Sequence, residues 1–253
     1  VSLKFASGTG NPGSYGAVAF GTGSQYLTVA DNVALQFGTG NFTIEFWIKP
    51  DAVSSTYYLN VKNAASDGFS MTLGGGTAGR PNFISSGGSV FIDGTQTLVA
   101  GVWTHLAFVR AGTGTNQCTW YTNGVATGTG TAASNLTSTA PFYIGAGSAG
   151  GSPYFKGYMS NYRAVKGVAV YTGNFTVPTA PLTATQSAGT NISAITGAQT
   201  SLLLNTPSNA SFLTDSSTYA FTVTNSSTPT TQSTQTPFVQ YGWTISRGWT
   251  VSS

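Results

Sequence analysis

Charge is scarce in this sequence. Lys, Arg, Asp and Glu together make up 6% of its 253 residues. A long surface helix needs a charged outer face and a coiled coil needs abundant Glu and Lys, so both are excluded. Glu45 is the only glutamate. Glycoside hydrolysis ordinarily uses two carboxylates that flank the scissile bond. Glu45 has no acidic neighbour two or four residues along its strand, and Asp31, Asp51, Asp67, Asp93 and Asp215 stand singly in turn contexts. An aspartate in a turn commonly caps its own backbone, so no enzyme is expected. Cysteine is nearly missing as well. Cys118 stands alone, which excludes an intrachain disulfide; in the strand-like run Gln117 to Tyr121 it reads as a buried, inert thiol. His105 is the single histidine, and nothing nearby would orient it as a base for a nucleophile. No apolar run approaches the ~18 residues of a membrane-spanning helix, and no membrane insertion is expected. The nine basic residues are scattered rather than clustered, so a phosphate-tracking surface is missing and no nucleic acid is expected.

What the chain does have is 33 glycines, 13% aromatics and long stretches of serine and threonine. β-Branched and aromatic runs punctuated by Gly and Asn describe strands and turns. The sharpest strand is Asn41 to Lys49. Phe42, Ile44, Phe46 and Ile48 point one way and Thr43, Glu45, Trp47 and Lys49 the other, the period of a half-buried strand. Pro50 ends it. Trp103 to Arg110 alternates too, with apolar residues on both faces, and Trp103 reads as core. Asn123-Gly124 between strand formers favours a tight hairpin, because both central positions want positive φ. After residue 200 only Gly242 and Gly248 remain of the glycines, and Ser226 to Gln235 reads as a linker. From Trp243 to Val251 every second residue is large, so Trp243, Ile245, Trp249 and Val251 present one apolar strand face, a candidate interface. At least a dozen short strands and no convincing helix give an all-β, two-sheet antiparallel β-sandwich with extra C-terminal strands.

Several segments, taken in order, resemble the laminin-G-like, concanavalin-A-like jelly-roll family, in the form found in bacteriophage virion proteins of aquatic hosts. They are Tyr26 to Val29, Phe37 to Pro50, Trp103 to Arg110, Tyr121 to Gly124, Phe142 to Gly145, Phe155 to Arg163 and Gly167 to Pro178. The resemblance covers residues 15–182 and implies a concanavalin-A-like jelly roll over residues 1–199. Residues 200–253 then either complete that sandwich or form an accessory, anchoring segment. Relatives of this kind can hold calcium at loop ends, which makes Asp31 and Asp93 the metal candidates. Where the phage form carries Asp-Glu, this chain has Ser160 and Asn161, two carboxylates fewer. No other cofactor is called for. Sugar-binding relatives stack exposed aromatics under sugar faces, which makes Trp120, Tyr121, Tyr154 and Tyr158 the glycan candidates.

The sequence reading is a non-catalytic virion structural protein: a capsid decoration, head fibre or tail appendage at the virion surface. Its expected partners are other virion proteins and copies of itself, since repeated copies multiply weak contacts. The alternative is a glycan- or receptor-binding adhesion module on the same surface, with a host glycan as partner.

Overall fold

A computed structural model describes residues 16–21, 23–63, 67–85, 89–205, 213–226 and 230–238. Among them fifteen strands follow in chain order. They are β1 (Ala17–Phe20), β2 (Leu27–Val29), β3 (Phe42–Pro50), β4 (Tyr57–Lys62), β5 (Phe69–Leu73), β6 (Pro81–Ser85), β7 (Val90–Asp93) and β8 (Thr104–Arg110). Then come β9 (Cys118–Thr122), β10 (Val125–Gly130), β11 (Phe142–Ile144), β12 (Gly157–Lys166), β13 (Thr200–Leu204), β14 (Val223–Asn225) and β15 (Thr231–Ser233). Helical turns are limited to short 3-10 segments.

Every strand pairing is antiparallel, and the strands form two sheets. One runs β10-β9-β8-β3-β12-β1-β15, with β13 also on β12; the other runs β14-β2-β11-β4-β5-β6-β7. The long β12 has β3 along one side and shares its other side between β1 and β13. β13 and β15 therefore belong to the first sheet and β14 to the second. The expected linker Ser226 to Gln235 contains a strand instead: β15 pairs Thr231 to Ser233 with Ala17 to Ala19 of β1. Thr231 is a strand former, and alternation over three residues is too short to read.

The core lies between the sheets. Phe42, Ile44, Phe46 and Ile48 face it with Leu106, Phe108 and Trp120 from the first sheet, and Leu59, Phe69, Met71 and Phe83 meet them from the second. The Phe83 and Phe108 rings stack across the layer at 4.1 Å. Burying such rings is the largest single source of stability in a sandwich of this size.

β3 is not half-buried. Thr43, Glu45 and Trp47 on its outward face are all buried. A strap formed by residues 167–199 crosses the outer face of the first sheet and makes a second, smaller core of Ala107, Val109, Tyr121, Val165, Val170, Tyr171 and Ile195. Trp103 is corrected in the opposite sense: it is half-exposed just before β8.

The Asn-Gly hairpin is formed, with φ of 49° at Asn123 and 77° at Gly124. The strap uses it: Phe175 N–H donates to the Gly124 carbonyl at 2.9 Å, and a β-carbon on Gly124 would collide with the Phe175 carbonyl. Positive φ alone costs a side-chain-bearing residue about 1–2 kcal/mol, so Gly124→Ala is expected to lose at least that. Urea titration checks it; an unchanged midpoint would contradict both the turn and the strap contact.

Candidate functional site

The strap covers most of the first sheet's outer face, whereas the second sheet keeps an open one towards its ends, at Phe91 and at the tyrosines, with Val61, Ser70, Thr72 and Asn82 buried between them. Its residues follow from register. Leu27, Val29, Phe69, Met71, Phe83 and Ile92 point into the core, so their neighbours point out. One outward row joins Thr224, Thr28, Tyr143, Val61, Ser70, Ile84 and Phe91 across the sheet. The next joins Tyr58, Thr72, Asn82 and Asp93. Phe91 is 46% exposed, although it is a large apolar ring between the buried Ile92 and the half-buried Val90.

At the β7 end of this face the polar groups converge. Thr72 Oγ1 donates to Asn82 Oδ1 at 3.1 Å, and the Gly76 N–H donates to the same oxygen at 3.1 Å. The Gly74-Gly75-Gly76 turn lies directly on the face. A β-carbon at Gly75 would strike the Thr72 hydroxyl, and one at Gly76 would strike the Phe91 ring and the Asp93 carboxylate. Asn82 and Asp93 stand opposite each other in register. Asn82 is fully buried, yet its Nδ2 donates to nothing; Asp93 Oδ1 is buried and accepts nothing. Burial raises the Asp93 carboxyl above the usual aspartate value, and the charge of Arg80 partly opposes this. A donor and an acceptor left without partners beside an exposed ring are costly to the fold alone.

The opposite end is aromatic. Tyr26, Tyr58, Tyr143 and Tyr154 are all half-exposed. They gather round the 147–151 turn. Tyr154 O–H donates to the Gly150 carbonyl at 2.9 Å, the Tyr26 and Tyr143 rings are 6.0 Å apart, and Gly147 leaves space for the Tyr58 ring.

A second polar cluster is sealed under the strap. Glu45 of β3 accepts from Arg163 Nε at 2.8 Å and Nη2 at 2.5 Å, from Tyr171 O–H at 2.5 Å, and lies 3.1 Å from His105 Nε2. Glu45, His105 and Arg163 are all 0% exposed. Burial would raise the Glu45 carboxyl, but Arg163, then His105 and Tyr171, outweigh it and hold it down at about 2. Burial pushes the Tyr171 phenol far up, and the Glu45 charge pushes it further. Arg163 also donates to the Thr183 carbonyl and Gln186 Oε1, both on the strap. This cluster clamps the strap and offers substrate no access.

The sequence candidates separate on this frame. Trp120 and Tyr121 are corrected: neither reaches solvent. Trp120 is 0% exposed, with Nε1 bound to the Ile92 carbonyl, and Tyr121 is buried under Tyr171 and Phe175 of the strap. Tyr154 lies in the tyrosine group on the open face; Tyr158 lies on the other sheet. Asp31 and Asp93 are not brought together. They sit by β2 and β7, with four strands between them, about 24 Å at ordinary strand spacing. Asp31 is paired with Lys62 Nζ at 2.5 Å, and Gln36 Nε2 also donates to it. Among the described residues no three His, Cys, Asp or Glu side chains converge on a possible metal position. Trp243, Ile245, Trp249 and Val251 lie outside the described residues. The sequence reading missed Asn82, Phe91, Tyr26 and Tyr58. The alternation Val90, Phe91, Ile92, Asp93 was the available signal, since it places Phe91 and Asp93 outward together.

A family model described as the concanavalin A-like lectin/glucanases superfamily matches residues 20–169. A comparison with curated protein sequences finds no match. Among solved structures, a putative carbohydrate binding protein from Bacteroides ovatus superposes with a TM-score of 0.58 at 16% identity, covering 87% of this chain and 60% of that one. The chain thus spans about three fifths of that protein's length, and at this identity the likeness is one of fold. Domain 4 of AbnA, an extracellular arabinanase of Geobacillus stearothermophilus, solved with arabinotriose, gives 0.47 at 23% identity over 60% of this chain and 70% of that one. The SAP-like pentraxin of Limulus polyphemus gives 0.46 at 19% identity over 60% and 76%.

Proposed function

The chain belongs to the concanavalin A-like lectin/glucanases superfamily, and from that premise we propose that it is a non-catalytic carbohydrate-binding module. Its ligand lies on the open face of the second sheet. One observation carries this reading: the Phe91 ring is 46% exposed on this face, with the part-exposed Asp93 two residues along the same strand. The ring takes a sugar's apolar face, and the Asp93 carboxylate accepts from a sugar hydroxyl. The half-exposed tyrosines at the far end offer further ring faces. The ligand is a neutral saccharide, because Asp93 and the nearby Arg80 leave this end of the face without net charge.

The non-catalytic part rests on Glu45. The only glutamate is charge-paired and enclosed beneath the strap, and the outward rows of the open face carry Asp93 without a second carboxylate. Two flanking carboxylates are what hydrolysis requires. The assembly role drawn from the sequence depended on Trp243, Ile245, Trp249 and Val251, outside the described residues, and it gives way here to its alternative. A virion surface is kept as the proposed setting.

Screening the protein against neutral glycans and titrating the best by calorimetry tests the reading. Phe91→Ala and Asp93→Asn are each expected to weaken binding about tenfold or more, with melting temperatures close to wild type. Binding that survives both substitutions, or no binding to any neutral glycan, would overturn it.

A further inference from the structure

One row of the first sheet's outer face escapes the strap. In register it runs Thr231, Ala19, Tyr158 and Lys49, with Trp103 beside it just before β8. Tyr158, Lys49 and Trp103 are half-exposed. The two rings are 6.4 Å apart and tilted by 54°. Lys49 Nζ is 5.6 Å from the Tyr158 ring centroid and donates to Gln235 Oε1 at 2.9 Å. Val102 at 49% and Val99 at 61% exposure extend the apolar surface at the Trp103 end. Ala19 on the other side of Tyr158 is half-exposed and small, so it leaves that flank of the ring open.

Two facts point to a ligand. First, an aromatic pair is kept accessible on a sheet face whose other rows are covered by the strap and by Phe238 on Trp47. Second, among the described residues Lys49 has no carboxylate partner. Its ammonium is positioned by a neutral amide and a ring face and keeps donors to spare. The exposed Asp51 and Lys156 flank the row's end, with the Asp51 N–H bound to the Lys156 carbonyl, so the local balance is one positive charge.

We propose that this row is a second saccharide site, selective for an anionic sugar. The sugar ring stacks on Tyr158 and Trp103, and its carboxylate takes the hydrogen bond that Lys49 offers. The Asp93 face takes a neutral ligand, and the two sites lie on opposite outer faces of the sandwich. A chain with both would cross-link a mixed polysaccharide without forming an oligomer.

The test is titration of the full chain with galacturonic acid trimer and with its methyl ester, which removes the charge and keeps the ring. The acid is expected to bind at least about tenfold more tightly than the ester, and Lys49→Ala is expected to erase that preference. Lys49→Arg should retain it, and Trp103→Ala or Tyr158→Ala should weaken both ligands. Asp93→Asn should leave this binding intact, which separates it from the neutral site. Equal affinity for acid and ester, unchanged binding in Lys49→Ala, or no binding of the acid at millimolar concentration would overturn the proposal. So would a ligand-free dimer in sedimentation that Trp103→Ala dissolves, because the row would then be covered by a second copy.

Discussion

Glu45→Ala is expected to cost the fold about 3–5 kcal/mol at neutral pH, the price of stranding a buried charge. Arg163 is 0% exposed and loses both its charge-assisted bonds to Oε1; the Thr183 carbonyl and Gln186 Oε1 remain, and neither is charged. Tyr171 O–H and His105 Nε2 lose their partner as well. The pH dependence follows in sign. Glu45 falls from 4.5 to about 2 on folding, so the folded state favours the carboxylate. Its contribution is complete above about pH 4.5, on the order of 3 kcal/mol by linkage, and is lost as pH falls through 2. The gap between wild type and Glu45→Ala in urea titrations should therefore be widest at pH 6–7 and should narrow below pH 4. Replacing both partners together, Glu45→Leu with Arg163→Met, should recover much of the loss, since an apolar pair strands no charge. A constant gap from pH 7 to pH 3 would mean that the ion pair does not hold the strap.

The inward face of β3 was legible because its signal is local: Phe42, Ile44, Phe46 and Ile48 announce one buried side by period 2. Its outward face was not legible. The groups that cover Glu45 and Trp47 come from Arg163, Tyr171 and Phe238, more than a hundred residues later, and nothing between Thr43 and Lys49 encodes their arrival. The same cover decided Tyr121. Its alternation places it outward, opposite to Cys118 and Trp120, but the strap's Tyr171 and Phe175 close over it. The Asn123-Gly124 turn was legible because left-handed backbone restricts residue type. β15 was not, because a hydroxyl-rich edge strand looks like a linker. At the candidate site Asp93 stood out as one of few charges. Asn82 did not: the 74–76 turn seals it beside Asp93, a contact between separate segments that no local pattern encodes.

Trp120→Ala is expected to cost about 3–5 kcal/mol through the cavity it leaves, and its effect on binding should differ from that of Phe91→Ala. Trp120 belongs to β9 in the first sheet, packs edge-on against Phe108 at 5.1 Å, and donates from Nε1 to the Ile92 carbonyl of the second sheet at 3.0 Å. It therefore ties the sheets together where Ile92 sits between Phe91 and Asp93. Trp120→Phe keeps most of the bulk and strands the buried carbonyl, a loss of about 1–3 kcal/mol. That variant should lower glycan affinity less than Phe91→Ala while lowering stability more, because it loosens β7 without removing a ligand contact. Phe91→Ala should do the reverse, since the ring is half in solvent. Thermal melts and calorimetry on the same four proteins, wild type included, separate the two roles. If Trp120→Phe weakened binding as strongly as Phe91→Ala with no loss of stability, Trp120 would be touching the sugar, and the burial that assigns it to the core would be wrong.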